Sequence, residues 1–286
     1  GRDDMTTRRD LAGLLGAGAV AATALTLASK EASAQAATTN TFERILSSKK
    51  LRMGAVAAGQ PWTFKDRATG KWGGQFIDIG TALAADMDVQ LEIVETTWGN
   101  AVLDIQADKI DIMFGMNLTP KRALVVDYTS TVYDSALVVI ARPGFEPKMW
   151  ADLNDPKIKI SVDVGSAHDH VAARLCPKAQ IVRFKSLEEA TLALRSGRVD
   201  AQSIFWMGGV RAVKRDPGLG KVVVPQPMFG STSNAIVRRE TDKTWRDFAS
   251  AWITYSRGLG LIREAVVNSL AQVDLTLDDI PPGVTF

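Results

Sequence analysis

The chain has 286 residues and a formal net charge of +2, from 34 Lys and Arg against 32 Asp and Glu. Because charges of both signs are interspersed along it, no nucleic-acid partner is predicted. Cys176 is the only cysteine, which excludes an internal disulfide, and its apolar neighbours indicate a small core residue.

Residues 1–36 have the features of a twin-arginine signal peptide. Arg8 and Arg9 precede an Ala-, Gly- and Leu-rich stretch at 11–28, and Ala34-Gln35-Ala36 fits the rule for signal cleavage. A membrane anchor is the alternative, but the stretch is weakly apolar and small residues follow it. We therefore predict cleavage near Ala36 and a soluble mature protein in the periplasm.

Short β-rich runs alternate with helical patterns, an order that is typical of α/β proteins with mostly parallel sheets. Strands are predicted at 51–56, 89–95, 110–114, 136–141, 158–163, 180–184, 199–204, 221–224 and 234–237. Helices are predicted at 76–87, 98–107, 166–175, 186–196, 206–215, 241–256 and 259–271.

A weak internal repeat indicates two lobes of one design. Residues 103–111 and 192–200 are similar, and each ends a predicted helix and begins a predicted strand. We predict a discontinuous first lobe, residues 42–139 and 230–286, and a second lobe, residues 140–229. Two chain crossings would then form a hinge, and the groove between the lobes is the expected ligand site.

The sequence after the third predicted strand favours an anion site. Gly115 is predicted to end that strand, Thr119 to N-cap a helical turn, and Pro120 to take the first helical position. The free N–H groups of such a turn favour an anion, and Arg122 can fold back over the same turn. We hypothesise that Arg122 and the amides around Gly115 and Asn117 hold a ligand carboxylate. A solvated surface arginine is the alternative.

The histidines, His168 and His170, lie at a predicted helix start. Two positions apart on a helix do not share a face, so no metal site is expected, and we predict no cofactor. His168 is a candidate ligand contact. A catalytic pair of Cys176 with one of these histidines is the less favoured alternative, so we do not predict an enzyme.

Eight short motifs follow one another in a fixed order along the chain. They are Leu51-Arg52-Met53-Gly54, Pro61-Trp62-Thr63-Phe64, residues 74–78, Thr97-Trp98, Lys109-Ile110-Asp111, Thr119-Pro120-Lys121-Arg122, Val164-Gly165-Ser166 and Ser196-Gly197-Arg198-Val199-Asp200-Ala201. In this order the chain resembles the family 3 periplasmic solute-binding proteins of ABC importers, polar amino acid group, over residues 41–272. The resemblance implies a two-lobed, type II periplasmic binding protein fold with a two-strand hinge, which closes around one ligand and presents it to an ABC permease in the inner membrane.

The resemblance also implies which residues bind the ligand. Arg122 would clamp an α-carboxylate, Trp98 would lie under the ligand side chain, and Trp62 would help to cover it. Ser166 and Ala167 would reach the carboxylate from the second lobe. The candidate ligand-binding residues together are Trp62, Trp98, Gly115, Asn117, Thr119, Arg122, Ser166, Ala167, His168 and Phe205.

Two acids of the family pattern are absent. The acid after the first strand is Ala58 or Gly59 here, and the Asp that pairs with a ligand ammonium is Phe205. Phe205 and Trp206 are adjacent at a predicted strand end, so one is expected to face the groove and the other the core.

A buried ammonium without an opposite charge would cost about 3–5 kcal/mol, so three alternatives stay open. Another acid substitutes, for which Asp163, Asp169 and Asp134 are candidates. The ligand lacks a free ammonium, or aromatic faces hold the cation.

The preferred hypothesis is a monomeric binding protein for import of a small carboxylate-bearing solute, an amino acid or a close relative. The alternatives are a betaine-like or other carboxylate ligand, a cyclohexadienyl dehydratase-like enzyme on the same scaffold, and a sensory domain that serves a separate receptor chain. An enzyme needs a general acid in the groove, and the expected acid positions are apolar here.

Overall fold

The computed structural model of the chain describes residues 40–164 and 166–286. The predicted signal peptide and its cleavage site lie outside these residues. Ile45–Phe286 is a compact unit that contains every candidate ligand-binding residue. Within the described part of the chain, no helix combines the length and the apolar character that crossing a bilayer requires.

Strands and helices alternate, which confirms the predicted α/β class. The strands are β1 Lys50–Ala55, β2 Ala58–Gly59, β3 Thr63–Lys65, β4 Trp72–Gly73, β5 Gln90–Glu95, β6 Met113–Asn117, β7 Asp127–Ala141, β8 Lys159–Asp163, β9 Gln180–Phe184, β10 Ala201–Phe205, β11 Lys221–Val223 and β12 Gly230–Val237. The α-helices are α1 Thr41–Ser48, α2 Gln75–Asp86, α3 Ala101–Gln106, α4 Pro120–Ala123, α5 Trp150–Leu153, α6 Ala167–Leu175, α7 Leu187–Arg195, α8 Trp206–Arg215, α9 Thr244–Gly258 and α10 Leu261–Leu270. Short 3₁₀ helices lie at Pro217–Leu219, Ala271–Val273 and Leu277–Asp279.

The strand predicted at 136–141 is too short, because β7 begins at Asp127. Its first half contains polar residues that do not form a continuous apolar run. In the structure these residues are hydrogen-bonded to the neighbouring strand: Thr129 Oγ1 accepts from the N–H of Ala235 at 3.0 Å, and Asn234 Nδ2 donates to the carbonyl of Thr129 at 3.0 Å. Buried polar groups with such partners are compatible with a central strand.

The prediction that Gly115 ends a strand is wrong, because Gly115 lies in the middle of β6. Residues 110–112 precede β6 and run beside β1, where Met53 and Ile112 form a parallel bridge. The β6–β12 register shifts between Asn234 and Ala235, so that Gly115 is the extra residue of a β-bulge. Its φ of +82° lies in the region that glycine adopts without a steric penalty.

The strands form two parallel groups, which we call the first and second lobes. In the first lobe β1 is parallel to β5 and, through the Met53–Ile112 bridge, to the segment that leads into β6. In the second lobe β8 is parallel to β9 and β10. The carboxyl ends of parallel strands meet at one edge, where open α/β sheets bind their ligands.

Strand β7 joins the two lobes. Its first ten residues pair antiparallel with β12, whereas Leu137 to Ala141 pair with β10. One sheet therefore continues through both lobes in the order β6-β12-β7-β10-β8-β9, with β11 also paired to β7. The predicted lobe boundaries at 139/140 and 229/230 stay a prediction.

Each lobe has its own apolar core. In the first lobe the core includes Ile105, Met113 and Ile236, and in the second it includes Leu137 and Cys176. Cys176 is fully buried, and burial raises its pKa to about 11. A thiol in this environment is protonated at neutral pH, which agrees with a packing role.

Candidate ligand-binding site

The first-lobe candidates other than Gly115 lie at or after the carboxyl ends of β1, β5 and β6. Trp62 lies in the connection after β1, and Trp98 follows β5 by three residues. Asn117 ends β6, and Thr119 and Arg122 belong to the turn that comes next. The α/β order of the sequence therefore brings these side chains to one edge of the first lobe.

Trp98 lies against the bulge at Gly115. A Cβ at Gly115 would come within 3.1 Å of Trp98 Cη2 and 2.5 Å of Phe76 Cε2. Real Cβ atoms do not come within 2.5 Å of a ring carbon, and 3.1 Å is already tight, so glycine is the residue that leaves room for both rings. The absence of a side chain at Gly115 thus brings Trp98 next to the strand that leads to Arg122.

The turn after β6 forms as predicted. Thr119 has extended backbone angles, its Oγ1 accepts from the N–H of Arg122 at 3.3 Å, and Pro120 takes the first helical position of α4. The Arg122 side chain folds back, and its Nη1 donates to the carbonyl of Asn117 at 3.2 Å. The hydroxyl of Tyr128 donates to the same carbonyl at 2.9 Å.

The Arg122 guanidinium is half-buried and lacks an acidic partner. Within the described residues, no Asp or Glu forms an ion pair with it, whereas Arg52 and Arg239 are paired with Asp111 and Asp127. Burial raises the pKa of the neighbouring Tyr128 hydroxyl, and the positive charge of Arg122 opposes that effect. A half-buried cation with spare N–H donors is suited to a ligand carboxylate.

A buried hydrogen-bond network positions Trp62. The Tyr133 hydroxyl is bonded to Gln75 Nε2 at 2.6 Å and to the side chains of Trp62 and Ser233. An indole can only donate, so Trp62 gives its N–H to the Tyr133 oxygen. Burial raises the pKa of Tyr133 to about 12, and the ring of Phe76 stacks on it at 6.1 Å between centroids. Phe76 therefore contacts the tyrosine that holds Trp62 and lies beside Gly115, as Trp98 does.

The second-lobe candidates gather at the carboxyl ends of β8 and β10. Ser166 N-caps α6, with its Oγ accepting from the N–H of Asp169 at 3.1 Å, and Ala167 is the first residue of that helix. His168 Nδ1 lies 2.8 Å from Asp163 Oδ1, and the His168 ring meets the Phe205 ring edge-on at 4.6 Å.

Phe205 and Trp206 differ in burial, and that Phe205 faces the groove stays a prediction. Phe205 contacts His168 and is only partly buried, whereas Trp206 is 2% exposed and stacks on Phe286. His170 is exposed, so the two histidines do not share a site. Among the described residues no cluster of His, Cys, Asp and Glu could hold a metal ion.

Asp163 is the acid of this second-lobe group. Burial alone would raise the pKa of its carboxyl, but hydrogen bonds that include those of His168 and Ser166 outweigh burial and hold it below its ordinary value. The other two candidate acids have cationic neighbours, with Arg183 at 2.9 Å from Asp169 and Arg257 at 3.8 Å from Asp134.

The structure therefore forms two groups of candidate residues, one in each lobe. No hydrogen bond, ion pair or ring contact between described residues joins the two groups directly. Sequence analysis missed Tyr128, Tyr133 and Phe76, which support Arg122, Trp62 and Trp98. Tyrosine occurs only three times in the sequence, and Tyr128 and Tyr133 both lie in the first half of β7, which apolar periodicity did not reveal as a strand.

The chain is similar to known binding proteins. Residues 51–253 match the family described as bacterial extracellular solute-binding proteins, family 3. The L-arginine-binding protein of Pseudomonas aeruginosa is 35% identical over 161 residues, which are 54% of this chain and 60% of that protein. The match thus spans less than two thirds of that relative's length.

Two further comparisons extend the match. A solved structure described as an ancestral cationic amino acid solute binding protein is 28% identical, with a TM-score of 0.64, and covers 79% of this chain and 97% of that one. The cyclohexadienyl dehydratase of Pseudomonas aeruginosa is 22% identical over 226 residues, which are 78% of this chain and 83% of that protein.

Proposed function

Because the chain belongs to family 3 of the bacterial extracellular solute-binding proteins, we propose that it is the substrate-binding protein of an ABC importer for an amino acid. Relatives bind L-arginine or cationic amino acids by their descriptions, and arginine is the first ligand we propose. The ligand lies between the two lobes, and the loaded protein delivers it to a permease in the inner membrane. In this proposal the protein acts as a monomer.

The observation that carries the proposal is the guanidinium of Arg122. It is half-buried, folded over a capped helical turn, and has no acidic partner among the described residues. A carboxylate that accepts two of its N–H donors would supply the missing charge. Thr119 caps the same turn by accepting from the N–H of Arg122, and the Asn117 side chain before it donates to Ser231 Oγ on β12 at 3.3 Å.

The two tryptophans give the site its shape. Trp98 is fixed against Gly115, and the Trp62 indole is fixed by Tyr133. Flat aromatic faces at these positions accommodate a long aliphatic chain and attract a guanidinium or ammonium, with each contact contributing about 0.5–2 kcal/mol.

The second lobe contributes the start of α6. Ala167 presents the first N–H group of a nine-residue helix that Ser166 caps, and His168 and Phe205 lie beside it. A ligand that contacts both lobes stabilises the form of the protein in which both lobes are close enough to contact it. Ligand binding would therefore shift the population toward a closed form, which the permease recognises.

A thermal-shift screen tests the proposed function. The unfolding midpoint should rise with arginine, and less with lysine or glutamine, because a ligand at about 100 times its Kd stabilises the fold by about 2.7 kcal/mol. Glycine betaine, a keto acid and succinate serve as controls. A shift with a control solute but with no amino acid would contradict the proposed ligand class.

A dehydratase is the second candidate, favoured by the similarity to cyclohexadienyl dehydratase over most of the chain. Such an enzyme needs a general acid directed at a leaving group, yet Phe205 and Ala58 occupy the positions where the sequence resemblance places acids. Incubation with prephenate or arogenate, followed by an absorbance scan, should show no product. Turnover above the uncatalysed rate would replace the transport proposal.

We also propose that residues 1–36 direct twin-arginine export and are removed near Ala36. Replacement of Arg8 and Arg9 by Lys should retain the precursor in the cytoplasm, since the pathway reads the paired arginines. Fractionation of the expressing cells measures this directly, and N-terminal sequencing of the periplasmic form locates the cut. Unchanged export of the double variant would contradict the proposed route.

A further inference from the structure

The second lobe carries an acid whose surroundings point to a positively charged ligand group. Asp163 ends β8, and its side chain is 27% exposed, whereas the side chain of its hydrogen-bonded partner His168 is only 12% exposed. One carboxylate oxygen is bonded to His168 Nδ1 at 2.8 Å. The carboxylate is therefore held in one orientation and remains accessible at the ligand edge of the lobe.

The Asp163–His168 pair keeps a net negative charge. Nε2 of His168 is buried and has no hydrogen-bond partner among the described residues. A protonated ring would carry an N–H at this buried atom with no acceptor, which is costly. A neutral ring carries only one N–H, and that group can face Asp163. The geometry thus favours a neutral ring that carries its proton on Nδ1 and donates it to Asp163.

No cationic side chain neutralises this pair. Arg183 lies at 2.9 Å from Asp169 and Arg257 at 3.8 Å from Asp134, but no Lys or Arg of the described residues forms an ion pair with Asp163. The first lobe shows the reverse case, since Arg122 has no acidic partner there. One lobe thus presents an uncompensated cation and the other an uncompensated anion.

We propose that Asp163, held by His168, binds a cationic nitrogen of the ligand, so that the site selects a solute with both a carboxylate and a cation. This inference rests on the proposed function and adds to it the residue that recognises the cationic group of the amino acid. The negative charge comes from β8 of the second lobe, although Phe205 occupies the position where the sequence resemblance places an acid. Asp163 is therefore a specificity-determining residue.

Two groups of arginine could meet Asp163, the α-ammonium or the guanidinium, and both are hydrogen-bond-donating cations. Two analogues separate them. Desamino-arginine (5-guanidinopentanoate) lacks the α-ammonium, and citrulline lacks the guanidinium charge. Both keep the carboxylate that we assign to Arg122.

Titration calorimetry with these three ligands tests the inference on the wild type and on Asp163→Asn. The variant should bind arginine at least about tenfold more weakly, because it loses a charge-assisted hydrogen bond. If Asp163 binds the α-ammonium, the variant loses affinity for citrulline but not for desamino-arginine. If it binds the guanidinium, the pattern is reversed.

Two further variants make the test specific. Asp155→Asn is the control, since it also removes one negative charge, at a position before the start of β8. It keeps the oxygen that accepts from the N–H of Lys157, and it should bind arginine like the wild type. Asp163→Glu retains the charge and should bind arginine more tightly than Asp163→Asn. Circular dichroism of each ligand-free variant identifies any that fails to fold, and the Glu variant then provides the comparison.

The outcomes distinguish the two proposals. If the wild type binds arginine and Asp163→Asn binds it with the same affinity, the role of Asp163 is overturned and the proposed function stays intact. The same follows if the variant loses affinity equally for all three ligands. Failure of the wild type to bind arginine would contradict both.

Discussion

At the scale of the residue, the site depends on side chains that are positioned by groups the sequence did not reveal. Capping by Thr119 and the return of Arg122 over its turn followed from residue types and spacing. The bulge at Gly115 did not, because it arises from the register of β6 against β12, a contact more than one hundred residues away in sequence. Local patterns do not encode such long-range registers.

Substitution of Gly115 tests the bulge. Gly115→Ala should destabilise the fold by about 2–4 kcal/mol, because it combines a positive φ with a Cβ 2.5 Å from Phe76. Gly70→Ala is the matched control, since Gly70 has a φ of +68° but no atom within 4 Å of its Cβ position. Urea unfolding should show about 1 kcal/mol for the control. Equal losses would mean that the ring contacts do not matter.

The network at Tyr133 gives a second prediction at this scale. Tyr133→Phe removes the acceptor of Gln75 and Trp62 and leaves buried donors unsatisfied, which should cost about 1–3 kcal/mol. Trp62 should also become less ordered, so arginine affinity should fall. Tyr255→Phe, at a 63% exposed ring, is the control for both measurements. If the Tyr133 variant binds arginine with normal affinity, Trp62 does not contribute to ligand binding.

At the scale of the element, most helices and strands were predictable because their apolar periodicity and caps are local. The extent of β7 was not, since the polar residues of its first half are buried only through bonds to β12. The second-lobe strands were predicted more closely, because their apolar runs are short and bounded by turns. Apolar periodicity does not show which strand ends lie next to one another in the sheet, so it does not show which side chains form the site.

Substitutions at two N-cap serines distinguish the effect of a cap on stability from its effect on ligand binding. Ser166 caps α6 at the candidate site, and Ser186 caps α7 in the same way, accepting from the N–H of Glu189 at 3.2 Å. Replacing either serine by Ala should cost about 1 kcal/mol of unfolding free energy. Only Ser166→Ala should weaken arginine binding in titration calorimetry. Equal affinities of the two variants would place the start of α6 outside the site.

At the scale of the whole molecule, the two lobes carry complementary charges along a shared sheet. Arg122 follows β6 and Asp163 ends β8, and three strands, β12, β7 and β10, lie between these two in the sheet. The order of motifs predicted the family and the two-lobed fold, both of which the comparisons support. It left the candidate acids undecided, because only the structure shows which of them already have a cationic neighbour.

The central claim is that Arg122 holds the carboxylate of an amino acid ligand, and a calorimetric cycle with arginine and agmatine tests it most directly. Agmatine is arginine without the carboxylate. Arg122→Ala should weaken arginine binding about a hundredfold and leave agmatine binding unchanged, while Arg67→Ala, in the exposed turn after β3, affects neither. An arginine affinity that survives in Arg122→Ala, or an equal loss for both ligands, would contradict the account.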